Sequence, residues 1–340
     1  MANKVLMKDK LGQWANDIIK KFVLYAPVLK NDLPIYKQIS DPKDITLDHI
    51  NTVISPKDLF LKQTETLFTF KLGKEKEITT VGSSEKFVVL GIRPCDAKGL
   101  SVIDEVYKKD YLDVYYAKQR ENSILIGVTC NEADINCFCT SVEGSPSGTQ
   151  NLDVALTDLG EKYFVEILTD KGSSVVNDSK SLFKDATNDD ERKKTQVQKS
   201  VLEQFVRGID TKGLTEKLDQ LWENDIWERL AMRCLGCGIC TYNCPECYCF
   251  DIQDEVEGLE GCRIRIWDTC QSSEYTLHAS GHNPRQARTE RMRNKILHKF
   301  AYLPKNVNMF GCVGCGRCIE LCPENCDILD ALQKLKEVAV

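Results

Sequence analysis

The sequence predicts an α+β protein in which an N-terminal α/β domain precedes a cysteine-rich C-terminal domain. Continuous apolar runs alternate with amphipathic segments in the first half of the chain, as a helix-covered parallel sheet requires. Two repeats of four closely spaced cysteines lie in the last third of the chain. We expect the α/β domain over residues 1–178, a charged helical linker over 179–226 and the cysteine-rich domain over 227–340, with a helical insertion at 250–305.

The N-terminal domain is predicted to begin with a helix and a strand. Trp14 and Ile18 recur at helical spacing within residues 8–21. The apolar run from Phe22 then indicates a strand, which Pro27 is expected to end.

The next elements predict a parallel pair of strands. Residues 87–93 form an apolar run, Cys95 lies in the turn that follows, and residues 97–107 have the pattern of an amphipathic helix. Residues 124–129 repeat the buried-strand pattern and are followed by Cys130. Sites in such sheets form at the carboxyl ends of strands. We therefore expect both cysteines at one edge of the sheet.

The following segments predict a hairpin and then the linker. Residues 154–168 form two apolar stretches around a Leu-Gly turn, which is typical of a β-hairpin. From Ser179 to Leu230 the pattern becomes helical and highly charged. Such a pattern indicates a solvated helix face or a linker.

The two cysteine repeats share the pattern C-x2-C-x2-C-x3-C-P, the bacterial ferredoxin signature of paired [4Fe–4S] clusters. Three thiolates of each run bind one cluster, and the fourth crosses to the other. Structural zinc sites instead use C-x2-C pairs that a longer loop separates. The predicted ligands are Cys234, Cys237, Cys240 and Cys322 for cluster 1, and Cys312, Cys315, Cys318 and Cys244 for cluster 2. The C-terminal domain is thus predicted to be a bacterial-type two-cluster ferredoxin domain.

Four further cysteines could hold a third [4Fe–4S] cluster. Cys95 and Cys130 follow strand ends, and Cys137 and Cys139 lie two residues apart in a predicted loop. Free cysteine often serves as a small buried apolar residue. The paired thiols in a loop favour metal ligation instead.

Cys247, Cys249 and Cys270 leave three interpretations open. They could be thiols next to a cluster, alternative ligands in place of Cys244, or ligands of a fourth cluster with His282.

Some features have no assigned ligand role. Cys262 and Cys326 have no informative spacing and are expected to be spare thiols. The arginine-rich segment 285–293 is open to three interpretations: a solvated helix face, donors to cluster sulfides, or a docking surface for an acidic partner.

Composition limits the remaining choices. The chain has 340 residues and a formal net charge of −6, which disfavours nucleic-acid binding. No apolar run predicts a membrane span or a signal peptide. Its seventeen cysteines are therefore expected to be metal thiolates in a reducing cytoplasm. No dinucleotide fingerprint or P-loop occurs, so we expect no flavin or nicotinamide to bind this chain.

Several segments together resemble a known family. They are residues 55–62, 64–70, 91–96, 137–139, 234–249, 267–270, 281–283 and 312–323. These segments look like the beta subunit of cytoplasmic sulfhydrogenases and, more loosely, like the corresponding iron–sulfur subunit of anaerobic sulfite reductase. The resemblance covers nearly the whole chain, although Cys262 and Cys326 fall outside the family pattern.

The resemblance implies an iron–sulfur electron-transfer subunit of a cytoplasmic, anaerobic oxidoreductase complex. Such a subunit passes single electrons between a flavoprotein subunit, linked to NAD(P)H or ferredoxin, and a catalytic subunit with a nickel–iron or siroheme centre. The resemblance also favours the third cluster, and it assigns no catalytic residue to this chain. The alternatives are that the α/β domain is itself a cluster-dependent enzyme or a small-molecule binder, or that the chain is a redox-responsive regulator.

Overall fold

The computed structural model describes residues 3–82 and 85–339. The strands are β1 (Lys4–Met7), β2 (Val23–Lys30), β3 (Leu33–Gln38), β4 (Thr64–Lys71), β5 (Glu77–Thr80), β6 (Phe87–Ile92), β7 (Ser123–Val128), β8 (Val154–Asp158), β9 (Lys162–Ile167), β10 (Phe183–Asp185), β11 (Phe250–Glu257) and β12 (Glu260–Trp267). The α-helices are α1 (Leu11–Ile19), α2 (Pro94–Lys108), α3 (Val114–Asn122), α4 (Asp170–Asn177), α5 (Asn188–Leu202), α6 (Leu214–Gln220), α7 (Ile226–Ala231), α8 (Ile239–Tyr242), α9 (Arg288–Leu297), α10 (Leu303–Val307), α11 (Arg317–Glu320) and α12 (Ile328–Glu337). Within the described ranges, none of the helices has the length and apolar character that crossing a bilayer requires.

The large sheet has eight strands in the order β10-β1-β9-β8-β7-β6-β2-β3. Strands β2, β6, β7 and β8 are parallel, as predicted for β6 and β7. Val88 and Leu90 pack into the core that contains α1 and α4, whereas Phe87 and Val89 pack into the core that contains α2. Because both faces are covered, β6 is apolar at every position. The predicted N-terminal α/β sheet is confirmed.

Two predicted boundaries in this domain are wrong. Strand β2 continues through Pro27 to Lys30, because it pairs with β6 only as far as Tyr25, and the missing amide proton breaks no ladder bond there. Helix α2 begins at Pro94, three residues before the predicted start, because proline is favoured in the first turn of a helix. The hairpin of β8 and β9 forms as predicted.

The segments expected to be helical also contain strands. The predicted linker contributes β10, which pairs with β1. The insertion begins with the hairpin of β11 and β12, which joins β4 and β5 in a four-stranded antiparallel sheet; its helical part starts at Arg288. Strand β11 is exposed along its whole length, and Phe250, Ile252 and Val256 alternate with polar residues along it, a strand signal that the expectation of a helical insertion overlooks. The domain boundaries themselves stay predictions.

The cysteine runs lie beside a third hydrophobic core. Helices α6, α7, α9 and α12 and the π-helical turn His298–Tyr302 supply most of its residues. Phe138 and Val142, from the loop after β7, pack into the same core. This packing holds the N-terminal cysteine loop against the C-terminal runs.

Candidate metal centre

Both cysteine runs have the same local backbone. Gly236 and Gly238 in the first run, and Gly314 and Gly316 in the second, have positive φ angles of 63–77°. A short helix, α8 or α11, begins directly after the second glycine of each run. The left-handed conformation, which glycine adopts without a Cβ clash, turns each run sharply between its cysteines.

The first site combines cysteines of both runs. Cys234, Cys237 and Cys240 line one cavity together with Cys322 of the second run. Cys326 lines the same cavity, and its backbone amide donates to Cys322 Sγ at 3.2 Å. The structure thus brings together the four predicted ligands of cluster 1, and it adds a thiol that the sequence left without a role.

The second site contains the other run. Burial, together with a charge on Cys244, raises the pKa of Cys315 to about 11 and that of Cys318 to about 12. Cys312 is also buried. Cys244 therefore lies near the second run, as the crossover requires. Thiolates here need a compensating positive charge, which bound iron supplies.

The third group of cysteines gathers at the carboxyl ends of β6 and β7. Cys95 lies in the first turn of α2, and Cys130 comes two residues after the end of β7. Burial, together with a charge on Cys130, raises the pKa of Cys137 and of Cys139 to about 12. Burial also raises the pKa of Cys95, and a charge on Cys130 contributes to that rise. The fold thus brings these four thiols together.

The second and third groups adjoin directly. The Phe138 amide donates to the Gly314 carbonyl at 2.9 Å. A Cβ on Gly314 would lie 2.5 Å from the Cys139 backbone nitrogen, so only glycine allows this close approach. The loop of the third group and the loop of the second run are therefore packed backbone to backbone.

A buried ion pair crosses the same junction. Arg317, which is 1% exposed, donates to both carboxylate oxygens of Asp96 at 2.6 and 2.8 Å and to the Thr52 carbonyl at 2.7 Å. Asp96 follows Cys95, and Arg317 precedes Cys318. The sequence alone does not reveal this pair, although each member is adjacent to a predicted ligand.

Three lysines are buried among the C-terminal thiols. Lys57, Lys295 and Lys299 are 3%, 5% and 6% exposed. Lys299 Nζ donates to Cys244 Sγ at 3.3 Å and to the Gly311 carbonyl at 2.7 Å. Burial opposes its charge, but thiolate charges on Cys244 and its neighbours hold the pKa of Lys299 well above the usual value. Burial likewise opposes the charge of Lys295, but thiolate charges on Cys240 and Cys318 raise its pKa. Lys295 also hydrogen-bonds the first-run thiol of Cys240.

These donors fit iron–sulfur clusters. In the described part of the chain, none of the three lysines forms an ion pair with a carboxylate. A buried ammonium needs an anion beside it, and a cluster with its thiolates is one. Residues 3–82 and 85–339 also contain no group of three or more His, Cys, Asp or Glu side chains that could hold a metal ion.

Comparison with known proteins agrees with this chemistry. The family model of a 4Fe-4S dicluster domain matches residues 233–326, which include both runs and the insertion between them. The chain is 31% identical over 315 residues to sulfhydrogenase 2 subunit beta of Pyrococcus furiosus (strain ATCC 43587 / DSM 3638 / JCM 8422 / Vc1), and the alignment covers 92% of each chain. This chain belongs to the sulfhydrogenase beta-subunit family. The predicted family is confirmed, and the dicluster domain accounts for at least two [4Fe–4S] clusters.

In this member of the sulfhydrogenase beta-subunit family, the arginine-rich segment contacts the first run. Arg288 donates to the Cys234 carbonyl at 2.9 Å. Arg291 lies buried on the inward side of α9. Arg293 packs over the Trp222 ring at 4.1 Å. Arg288 therefore holds the backbone of the first run, and the segment is more than a solvated helix face.

The remaining sequence-predicted residues take different positions. His282 is exposed in the loop after β12, and its ring contacts His278 with 5.3 Å between centroids. Cys262 lies on β12 within the exposed hairpin. Neither position adjoins the buried lysines, and neither residue gains a ligand role from its contacts.

Proposed function

We propose that the chain is an electron-transfer subunit that relays single electrons within a cytoplasmic, anaerobic, multi-subunit oxidoreductase. The relay connects a flavoprotein subunit, linked to NAD(P)H or ferredoxin, with a catalytic subunit of the hydrogenase or of the sulfur or sulfite reductase type. The observation that carries the proposal is the close packing of the third cysteine group on the second run. Three cysteine sites in contact form a row, whereas a two-cluster carrier needs only two.

Three [4Fe–4S] clusters would fill this row. When bound, each cluster supplies a carrier that changes its charge by one electron. The chain would hold them with Cys234, Cys237, Cys240 and Cys322; with Cys312, Cys315, Cys318 and Cys244; and with Cys95, Cys130, Cys137 and Cys139. The first and second sites share the crossing cysteines, and the second and third share the Gly314–Phe138 contact.

The chain's own residues support a relay in a further way. Lys295 and Lys299 place positive charge beside the first and second sites. The charge of an electron added to either cluster is therefore stabilised by a buried ammonium group. The Arg317–Asp96 pair, whose charges balance, lies buried at the junction to the third site. The two lysines therefore favour the reduced forms of the first two clusters.

The partner subunits are inferred from the relative. The Pyrococcus furiosus protein is named as subunit beta of a sulfhydrogenase. A chain that aligns with it over 92% of its length is expected to join other subunits in the same manner. The identity of the catalytic subunit decides whether hydrogen, sulfur or sulfite is the terminal substrate.

Metal analysis of the full chain, purified without oxygen, tests the cluster row. We expect at least about twelve irons per chain, as three cubes require. Cys130→Ser is expected to lose about four of them, whereas Cys262→Ser on the exposed hairpin loses none. Fewer than about eight irons in the wild-type chain would contradict the relay.

Partner analysis tests the assignment to a complex. Proteins that co-purify without oxygen should include a flavoprotein and a nickel–iron or siroheme protein. The flavoprotein should reduce the clusters of this chain rapidly on addition of its pyridine nucleotide or ferredoxin. Isolation of the chain alone under these conditions, with no reduction by any such flavoprotein, would refute the relay.

A second function is favoured by one cavity in the α/β domain. A cavity of about 700 Å³ opens at the carboxyl ends of β6 and β7 and is lined by Cys130, Arg93 and His49. Among the described residues, neither buried ring nitrogen of His49 has a hydrogen-bond partner, as in a site that awaits a ligand. We therefore keep a small-molecule site next to the third cluster as the alternative. Changes in the EPR spectrum of the isolated chain on addition of a substrate, lost in His49→Phe, would favour it over a pure relay.

A further inference from the structure

The hairpin of β11 and β12 presents a free strand edge. Strand β11 is the outer strand of the four-stranded sheet, and the described residues add no strand beyond it. All eight of its residues are exposed, and it pairs with β12 in one continuous register. Cys249 directly precedes β11, and Cys270 comes three residues after β12. A partner bound along this edge would therefore have one end next to the C-terminal cysteines.

The register of the hairpin shows which backbone groups of β11 face outward. The Asp268 amide donates to the Cys249 carbonyl at 3.0 Å, and bonded pairs alternate along an antiparallel ladder. The N–H and C=O groups of Ile252, Asp254 and Val256 therefore point away from β12. Across residues 3–82 and 85–339, no other protein group hydrogen-bonds them. A row of such free groups on a long strand is a template for a further strand.

The three other sheet edges of the described chain are protected against such pairing. Strand β3 contains Pro34, β5 has four residues and β10 has three. Short strands and proline are common means by which proteins block an exposed edge. Strand β11 has eight residues and contains neither proline nor lysine. This edge is thus the exception in the described molecule and is suited to accept a further strand.

The two faces of β11 differ in their chemistry. Exposed apolar side chains project from one face: Phe250, Ile252 and Val256. Acidic side chains project from the other face: Asp251, Glu255 and Glu257. Asp254 is already paired with Arg263, but among the residues that the structure describes, those three carboxylates form no ion pair. An added strand would therefore find apolar contacts on one face and uncompensated negative charge on the other.

The charge of this edge selects its occupant. Pairing with a second copy of this chain would place two β11 strands side by side, each with four carboxylates and no lysine or arginine. Like charges opposite each other destabilise a pair of strands. Lysine or arginine side chains opposite the carboxylates would stabilise it, and apolar side chains between them would cover Ile252 and Val256. The edge therefore favours a basic strand over a second copy.

We propose that β11 accepts an extended segment of a partner subunit, in which apolar residues alternate with lysine or arginine, as a fifth strand of the antiparallel sheet. The inference rests on the proposed function, because it takes the segment from a subunit of the same oxidoreductase complex. Main-chain bonds to Ile252, Asp254 and Val256 supply the affinity, and the charged side chains set the register and the choice of partner. The hairpin thereby holds a partner subunit beside the cysteine-rich segment.

Cross-linking within the complex, isolated without oxygen, tests the position of the added strand. A photoreactive residue in place of Val256 should cross-link to one partner subunit, at a segment in which lysine or arginine alternates with apolar residues. The same residue in place of Ile78, exposed on the opposite edge of the sheet, is the matched control and should give no such link. A link to a second copy of this chain, or no link from position 256 in an intact complex, would overturn the proposal.

A proline variant tests the main-chain bonds. The Ile252 amide faces outward, so Ile252→Pro removes a bond to the added strand and none to β12. We expect the partner to bind about tenfold to about a hundredfold more weakly. The Val81–Leu67 bond places the Ile78 amide outward by the same alternation, so Ile78→Pro is the matched control and should leave the affinity unchanged. Equal affinities of Ile252→Pro and the wild-type chain would refute strand addition.

Charge reversal tests the chemistry of the partner. Binding to the wild-type chain should weaken with added salt, and the double variant Asp251→Lys/Glu255→Lys should weaken it at least about tenfold. Glu75→Lys/Glu77→Lys changes the net charge equally near the opposite edge and should leave the affinity unchanged. Equal effects of the two double variants, or no effect of the first, would show that the segment is not recognised by its basic side chains.

Iron analysis of each variant separates this inference from the proposed function. The compared preparations should have the iron content of the wild-type chain, so that a lost partner does not reflect lost clusters. A wild-type chain that co-purifies with no partner contradicts the assignment to a complex and this inference with it. A partner that stays bound to Ile252→Pro and to Asp251→Lys/Glu255→Lys overturns strand addition alone, and the proposed relay stands.

Discussion

Replacing Lys299 with methionine should lower the reduction potential of the second cluster. The Lys299 ammonium lies 3.3 Å from Cys244 Sγ and is 6% exposed. Methionine keeps the length and the apolar stem of the side chain and removes its charge. Because reduction adds one negative charge to the cluster, loss of the nearby positive charge disfavours the reduced form.

The size of the shift follows from the geometry. For an ammonium about 6 Å from the added electron and an effective dielectric constant of about 20, the interaction is about 2.8 kcal/mol. One-electron chemistry converts about 1.4 kcal/mol into about 59 mV, so the interaction corresponds to about 120 mV. Glu246, whose pKa burial raises to about 8, is largely neutral at pH 7 and does not cancel the lysine charge. We expect a decrease of about 100 mV.

A redox titration followed by EPR measures this shift directly. Lys305→Met is the matched control, because Lys305 forms an exposed ion pair with Asp219 and its charge is screened by solvent. The control should shift no potential by more than about 20 mV. An unchanged or increased potential in Lys299→Met, at full iron content, would refute the assignment of Lys299 to the second cluster.

Three further predictions concern stability, measured by anaerobic unfolding. Arg317→Met leaves the Asp96 carboxylate buried and unpaired, so it should lower the free energy of unfolding by about 3–5 kcal/mol. Adding Asp96→Asn should restore most of this loss. A double variant as unstable as Arg317→Met would contradict the prediction. Asp190→Asn weakens the capping box of α5 and the ion pair with Lys162, so it should lower the free energy of unfolding by about 1–2 kcal/mol. Asp189→Asn, in an exposed ion pair, should change it by less than about 0.5 kcal/mol. Equal effects of the two variants would refute the cap assignment. Burial lowers the pKa of His298 to about 4, so the folded state resists protonation and the unfolded state does not. Stability should therefore fall by about 0.8 kcal/mol from about pH 7.5 to about pH 6.0, and His298→Gln should remove this part of the pH dependence.

The sequence predicted the parts of the site whose geometry is local. Three thiolates of a ferredoxin run lie within seven residues, so their spacing alone defines a cluster loop. Cys95 and Cys130 were also predicted at one sheet edge, since consecutive buried strands with a helix between them have few alternative pairings. In both cases a short stretch of chain determines the arrangement.

The parts that escaped prediction depend on contacts between distant segments. The hairpin of β11 and β12 pairs with β4, from the N-terminal half, so its place in a sheet depends on a distant segment of the chain. Lys57 reaches the cysteine region from 190 residues away in sequence, and nothing in the local pattern around it indicates burial. Such residues are recognised only when the fold brings their charge next to the thiols.

These distant charges connect cluster loading with folding. Lys57, Lys295, Lys299 and Arg317 are each less than 7% exposed, and within residues 3–82 and 85–339 only Arg317 of these four is paired with a carboxylate. A chain without iron would bury three ammonium groups beside thiols such as Cys315 and Cys318, whose ionisation burial opposes, so the negative charge that the ammonium groups need would be incomplete. Binding of a cluster holds the thiols as thiolates. The cluster and its thiolates together then carry the negative charge that the lysines need. The C-terminal half is therefore expected to reach its compact packing only together with its clusters, since the same lysines that favour cluster reduction also oppose burial of the empty sites.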